Sequence, residues 1–249
     1  MNIILNEKNY IEDVISNHKM SQKPTETISR VARYYCSEGY KFSEAVNKVE
    51  EFMLRCNPSV NITKWQNIIE HYVKNAKKYP LIDIDSIPVT QKELDVCEEL
   101  NGKQRKRLMF TLICLAKFGN KINSKNNNWV NQEDKQIFKL ANIKTSIKNQ
   151  SFLLGDLKNK GLIKFSKKVD NINICVQCID NEGAAILNIS DFRNLGYQYM
   201  KHCGEAYFEC NSCGIVSPRM SLRQKYCKQC AEEIDRKKSL DRWKNSKTA

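Results

Sequence analysis

Four cysteines near the C-terminus constrain the fold more than any other feature of this chain. They form two pairs with a two-residue gap inside each pair and thirteen residues between the pairs: Cys210, Cys213, Cys227 and Cys230. Each pair offers two thiolates from one tight turn, and Gly214 allows the first turn to close. Because Zn²⁺ takes four such ligands at tetrahedral corners, we predict one structural zinc ion here. A redox role would need only one pair, within a thioredoxin-like frame.

The remaining cysteines and the apolar pattern indicate the cellular compartment of the protein. There are eleven cysteines in total, and residues 1–20 contain no apolar stretch long enough for a signal peptide. We therefore expect no disulfide framework, and we expect a cytoplasmic location. The chain also lacks a run of about 18 apolar residues, so no membrane partner is predicted.

The net charge is strongly positive, at +13 from 41 Lys and Arg against 28 Asp and Glu. Such an excess favours polyanionic partners, above all nucleic acid. A coding bias towards Lys and Asn would produce a similar composition without any such partner.

The N-terminal third predicts a small helical domain. Residues 1–24 carry little pattern, whereas residues 25–89 are predicted to form one domain. Apolar side chains recur there at helical spacing in three stretches, which begin near Thr27, Ser43 and Thr63. Three amphipathic helices with short turns make a compact helical unit.

Residues 90–200 predict a second domain, which opens with a capping box at Thr90 and Glu93. Its helices and strands are predicted in a definite order: helix 103–118, strand 129–130, helix 133–141, helix 146–160, and strands 162–168 and 172–178. On the helix that begins at Ser146, we expect Ile147, Leu154 and Leu157 to face inward. The predicted fold class is mainly α.

This order resembles the winged helix-turn-helix superfamily, over about eighty residues and by pattern alone. In that family the third helix enters the major groove and the hairpin wing contacts the phosphate backbone. The resemblance therefore implies nucleic-acid contacts at the outward positions of the third helix and at the wing tip: Lys144, Ser146, Lys148, Asn149, Ser151, Lys167 and Lys168. Some winged helices dock proteins instead, and that alternative stays open.

Residues 201–249 predict a third part, a zinc-binding module with a basic C-terminal helix. The segment resembles treble-clef and zinc-ribbon modules. Its final helix carries an aromatic residue, Trp243, among basic side chains suited to phosphate contact: Arg236, Lys237, Arg242 and Lys244. A solvated basic tail is the alternative interpretation of this helix.

Signatures of an enzyme are missing from the sequence. Gly102-Lys103 lacks the rest of a phosphate loop, and three scattered histidines offer no recognisable nucleophile–base pair. We therefore expect no enzymatic activity, although carboxylates distant in sequence could still pair in space.

The three-part layout is similar to DNA-binding accessory proteins of bacteriophages and mobile elements, such as replication or regulatory factors. It implies a non-enzymatic protein of the host-cell cytoplasm that binds nucleic acid, DNA more than RNA. The main alternative is a protein-binding inhibitor of a host enzyme or defence complex, similar to anti-CRISPR proteins.

Overall fold

The computed structural model describes residues 3–167 and 173–247, with side chains described as far as Trp243. Helices make up most of the regular structure, and they are accompanied by small antiparallel sheets. Within the described ranges, no helix combines the length and apolar character needed to cross a bilayer. The chain divides into two compact units, one of residues Ile4–Asp85 and one that begins at Ser86 and also includes Ile3.

The first unit is a four-helix assembly. Its helices are α1 (Glu7–Ser16), α2 (Pro24–Ser37), α3 (Phe42–Cys56) and α4 (Gln66–Asn75). Each helix contributes apolar residues to one shared core, including Ile11, Ile28, Val31, Val49, Phe52 and Ile69. The three helices that the sequence predicts for this unit are confirmed. They could be predicted because their apolar residues repeat at the helical period.

Helix α1 lies in the segment 1–24, for which no element was predicted. Asn6 caps it, since its side-chain oxygen accepts a hydrogen bond of 2.8 Å from the N–H of Asn9. Only Ile11 and Val14 bury fully on its apolar side, which is too short a repeat to stand out in the sequence.

A buried carboxylate joins α1 to α2 and to the end of the unit. Glu7 lies 2.8 Å from Arg30 and 3.0 Å from Arg33, and it also accepts the N–H of Ile82 at 3.0 Å. These partners satisfy a charge that burial would otherwise make costly. Burial alone would raise the pKa of Glu7, but its bonds to Arg30 and Ile82 and the charge of Arg33 outweigh that effect and lower the pKa.

The second unit is built around the long helix α6. The short helix α5 (Gln91–Glu98) precedes α6 (Lys103–Ile122), in which every residue from Leu108 to Phe118 is buried. The predicted buried helix is therefore confirmed, and it extends beyond the predicted end at Phe118. Strand β1 (Ile87–Thr90) pairs with a later strand, β5 (Ala185–Ile189), which was not predicted.

The middle of the second unit has its elements in the predicted order. After α6 come β2 (Trp129–Val130), α7 (Asp134–Leu140), α8 (Ile147–Asn159), β3 (Ile163–Phe165) and β4 (Ile174–Val176). The three strands form one antiparallel sheet in the order β2-β4-β3. The predicted hairpin is thus present in shorter form, while residues 168–172 between its strands lie outside the described part.

One predicted core position on α8 is wrong. Ile147 is 81% exposed at the first turn, whereas Leu154 and Leu157 are buried as expected and Leu153 joins them. Ile147 lies seven residues before Leu154, so it could have faced the same side. It stays outside because the core contacts of α8 come from its second and third turns.

The C-terminal part contains helix α9 (Leu195–His202), strands β6 (Tyr207–Glu209) and β7 (Val216–Pro218), and helix α10 (Lys228–Lys247). Helix α9 packs against α6 and also against both strands of the β6–β7 hairpin. The predicted domains 90–200 and 201–249 therefore fall in one compact unit. The division between the two compact units follows Asp85, four residues before the predicted boundary at 89, and β1 belongs to the second unit because it pairs with β5.

Candidate metal centre and nucleic-acid interface

The first cysteine pair lies in the turn that joins β6 to β7. The N–H of Cys210 donates to the carbonyl of Ile215 at 3.0 Å, and the N–H of Gly214 donates back to the carbonyl of Cys210 at 2.8 Å. Gly214 has φ +70°, a conformation that costs little only for glycine. The turn therefore closes as its sequence predicts, with both sulfurs on the same side.

The second pair lies at the start of α10. Cys227 immediately precedes the helix and Cys230 is in its first turn, where the N–H of Ala231 donates to the carbonyl of Cys227 at 3.0 Å. The two pairs are also joined directly, because the N–H of Cys227 lies 3.2 Å from the sulfur of Cys210. Hairpin and helix are thus held together at their cysteines.

The four predicted ligands converge on one point. Their Sγ atoms all lie within 4.8 Å of one another, and the Cys213 and Cys227 sulfurs are 3.8 Å apart. A tetrahedron with metal–sulfur bonds of ~2.3 Å would place its sulfurs about 3.8 Å apart. Cys210, Cys227 and Cys230 are buried. The donor set and its spacing therefore fit a single metal ion such as zinc.

The two sulfurs of the first pair differ in their electrostatic surroundings. At Cys210 burial acts to raise the pKa, but hydrogen bonds from the N–H groups of Cys227, Cys213 and Ser212 lower the pKa to about 6. At Cys213 burial raises the pKa to about 12. A metal ion must take its ligands as thiolates, and Cys210 is the sulfur that the backbone already stabilises in that form.

The hairpin is fastened to the rest of its unit by two residues that precede α9. Arg193 donates to the carbonyl of Cys213 at 2.7 Å, and the side chain of Asn194 donates to the carbonyl of Val216 at 2.9 Å. Asn194 in turn accepts a 2.8 Å bond from Asn142, in the turn before α8. A chain of hydrogen bonds therefore connects the β6–β7 hairpin to the turn between α7 and α8.

The predicted contacts on α8 and before it are on the surface. Lys144, Ser146, Lys148, Asn149 and Ser151 are all exposed. Two of them already bond to their own helix: the Ser146 oxygen accepts the N–H of Asn149 at 3.3 Å, and the Ser151 hydroxyl donates to the carbonyl of Ile147. The serines thus support the helix, and the free polar groups are the two lysine side chains and the Asn149 amide.

The predicted contacts at the wing and the tail are described in part. Lys167 is exposed next to β3, but Lys168 lies outside the described residues. Arg236, Lys237 and Arg242 are exposed on α10, where the Arg242 Nε donates to the carbonyl of Lys238 at 3.2 Å. Helix α10 includes Lys244, whose side chain is not among those described.

A buried ion pair was missed by the sequence analysis. Lys117 of α6 donates to Glu93 at 2.7 Å and to the carbonyl of Asp180 at 3.0 Å, and Glu93 also accepts the N–H groups of Thr90 and Asp180. Glu93 was predicted only as half of a capping box, which the structure confirms. The available signal was Lys117 itself, a charge inside an apolar run that needed a partner. Through these bonds the pair links α5 and α6 to the segment at Asp180.

Comparison with known proteins finds no matching family model, no similar curated protein and no similar solved structure. The argument for function therefore rests on the residues and geometry of this chain.

Proposed function

We propose that this protein is a non-enzymatic nucleic-acid-binding protein that holds one structural zinc ion. The observation that carries the proposal is the arrangement of α6, β2, α7, α8, β3 and β4, with its sheet order β2-β4-β3. Helix, strand, helix, helix and hairpin in this order resembles the layout of a winged helix, a fold whose DNA-binding members read DNA with the third helix. The net charge of +13 supports a polyanionic partner.

In this proposal α8 is the helix that enters the major groove. Lys148 and Asn149 lie in its first turn and are exposed, and Lys144 precedes it. An asparagine amide can pair with adenine, and a lysine ammonium can reach guanine or a phosphate. Lys167, at the end of the described part of the wing, would contact phosphate and so position the helix.

The zinc ion would have a structural role. Four thiolates complete its coordination, so no position remains for water or substrate. The ion would join the β6–β7 hairpin to the N-terminus of α10, and thereby orient the basic face of α10 that includes Arg236 and Lys237. The resemblance in layout suggests a replication or regulatory factor of a bacteriophage or mobile element.

The test is duplex binding by the double variant Lys148→Glu with Asn149→Ala. Both side chains are exposed, so the melting temperature should stay nearly unchanged while sequence-specific binding is lost. Lys19→Glu, an exposed lysine of the helical unit, is the control for a change of charge alone. Specific binding that survives the double change would show that α8 does not read the groove.

A second candidate function, docking to a protein, is favoured by one observation. Ile147 is 81% exposed between the predicted contacts Ser146 and Lys148, and Phe152 further along α8 is 64% exposed. Large apolar side chains on a surface are typical of protein interfaces. Ile147→Glu would weaken a protein complex severely, and the complex would depend little on salt.

A further inference from the structure

A groove of about 890 Å³, lined mostly by polar residues, lies on the outer face of the three-stranded sheet. Successive side chains of a strand point to opposite faces, and here one set is buried against the helices: Val130, Ile163, Ile174 and Val176. The other set faces the groove. Strand register places Trp129 opposite Cys175 and Cys175 opposite Lys164, so an indole, a thiol and an ammonium group form one row across the sheet.

The walls of this groove, which we call the sheet groove, carry positive charge and amides. Lys125, Lys164 and Lys167 contribute three ammonium groups, and the amides include those of Asn131 and Gln177. No carboxylate occurs among the lining residues that the structure describes. The charge is therefore complementary to an anionic ligand, and the amides can exchange hydrogen bonds with a polar planar one.

Trp129 is held in place by the loop that precedes it. The side chain of Asn126 donates to the carbonyl of Trp129 at 2.8 Å and to Asn120 at 3.1 Å. The N–H of Asn128 donates to the same Asn120 at 2.9 Å. Asn127 and Asn128 both have positive φ, which asparagine tolerates better than most residues. These bonds fix the backbone that carries the half-buried indole, so a ligand would have little backbone left to order.

We propose that the sheet groove binds unpaired nucleic acid, with a base stacked on the Trp129 indole and the flanking phosphates at Lys125, Lys164 and Lys167. Aromatic side chains next to lysines bind single strands in this way, because every base has a π face that an indole can cover. Bases inside a duplex are stacked on each other and cannot take that place. This inference rests on the proposed nucleic-acid function and names a form of nucleic acid distinct from the duplex assigned to α8.

The experiment is a fluorescence anisotropy titration of the full-length protein with a short oligothymidylate, in parallel with a duplex. Trp129→Ala should weaken oligothymidylate binding by about 5- to 150-fold, the usual loss for one stacked base. Trp129→Phe should retain most of the affinity because a ring remains. Duplex affinity should not change in either variant.

Lys164→Glu is a second test variant. It should leave the core intact, because the Lys164 side chain is exposed. It should reduce the slope of log affinity against log salt for oligothymidylate by about 0.7 or more, the contribution of one phosphate on a single strand. Lys92→Glu, an exposed lysine outside the groove, should leave that slope unchanged.

The outcomes separate this inference from the proposed function. If oligothymidylate binding is unaffected by Trp129→Ala and Lys164→Glu while duplex binding persists, the sheet groove is not the site and the proposed function stands. If polyglutamate, which has charge but no bases, binds as tightly and with the same sensitivity to both variants, stacking is excluded. Binding to neither oligothymidylate nor duplex would overturn both proposals.

Discussion

Backbone N–H groups converge on the sulfur of Cys210 from Ser212, Cys213 and Cys227. Such amides stabilise a thiolate without placing a cation beside it, and a cation would repel a metal ion. The low pKa of Cys210 therefore depends both on its own turn and on the residue that precedes α10, which supplies the N–H of Cys227. At the scale of single residues, the contact that joins the two cysteine pairs also stabilises the first ligand as a thiolate.

The metal centre gives the first prediction at this scale. Elemental analysis should find about one zinc per chain, and Cys210→Ser or Cys227→Ser should lose it. Zinc binding contributes roughly 10–16 kcal/mol in small finger peptides, so the β6–β7 hairpin and the start of α10 should lose protection from hydrogen exchange. Cys203→Ser, an exposed cysteine outside the cluster, should change neither the zinc content nor the exchange. A zinc-free chain with an intact hairpin would contradict this prediction.

The second residue-scale prediction concerns Glu7 and pH. Glu7→Gln leaves Arg30 and Arg33 without their shared carboxylate, and should lower the unfolding free energy of the helical unit by about 3 kcal/mol at neutral pH. The pKa of Glu7 is lowered in the folded state, so its contribution is complete above the unfolded value of about 4.3. It should disappear as pH falls through the lower, folded pKa.

Hydrogen exchange of α2 peptides at neutral and acidic pH would measure the Glu7 effect. Glu12→Gln, at an exposed position of α1, the helix that also carries Glu7, is the matched control. It should change the unfolding free energy by no more than about 0.5 kcal/mol. A difference between wild type and Glu7→Gln that stays constant with pH would argue against the charge as its source.

At the scale of elements, the position of α9 depends on Gly196. A Cβ added to Gly196 would lie 2.0 Å from the carbonyl oxygen of Ala141, which is backbone and cannot move aside cheaply. Helix α9 therefore packs on the end of α7 at a distance that only glycine permits. Asn142 then joins the two elements, since its side chain bonds to Asn194 and accepts the N–H of Tyr197.

This packing gives an element-scale prediction with an internal control. Gly196→Ala should destabilise the second unit by roughly 1–3 kcal/mol, because the clash outweighs the gain in helix propensity of about 1 kcal/mol. Gly155→Ala in α8 has open space around its Cβ and should stabilise by roughly 0.5–1 kcal/mol. In thermal melting, the melting temperature should fall for Gly196→Ala and rise for Gly155→Ala. Shifts of the same sign in both variants would contradict the close-packing argument.

At the scale of the whole molecule, the excess of positive charge predicts how binding responds to salt. Log affinity for duplex DNA should fall with log salt at about −0.9 for each phosphate contacted. If half of the eight predicted basic contacts engage, the slope should be about −3 to −4. Those contacts are Lys144, Lys148, Lys167, Lys168, Arg236, Lys237, Arg242 and Lys244.

Charge reversal at Arg236 and Lys237 should reduce that slope by about two and leave sequence preference unchanged, because phosphate contacts carry no base information. Titrations at several salt concentrations, with a duplex of scrambled sequence alongside, would measure both effects. A slope near zero would remove nucleic acid as the partner and favour the protein-binding alternative.

The sequence by itself determined the features that depend on neighbouring residues. The cysteine pairs, the capping box at Thr90, helices α2–α4 and the order from α6 to β4 all follow from spacing of a few residues. Close spacing limits where a short chain can place its side chains, so such patterns predict structure reliably. The exposed positions of Lys148 and Asn149 follow from the same periodicity.

Only the tertiary structure decided the features that join distant residues. The pairing of β1 with β5 and the bond between Lys117 and Glu93 connect positions far apart in sequence, and no local pattern encodes such a contact. The exposure of Ile147 was decided by where α8 meets its neighbours, since an apolar side chain is buried only if another element covers it. The sheet groove likewise exists only because strand pairing brings Trp129 into one row with Lys164.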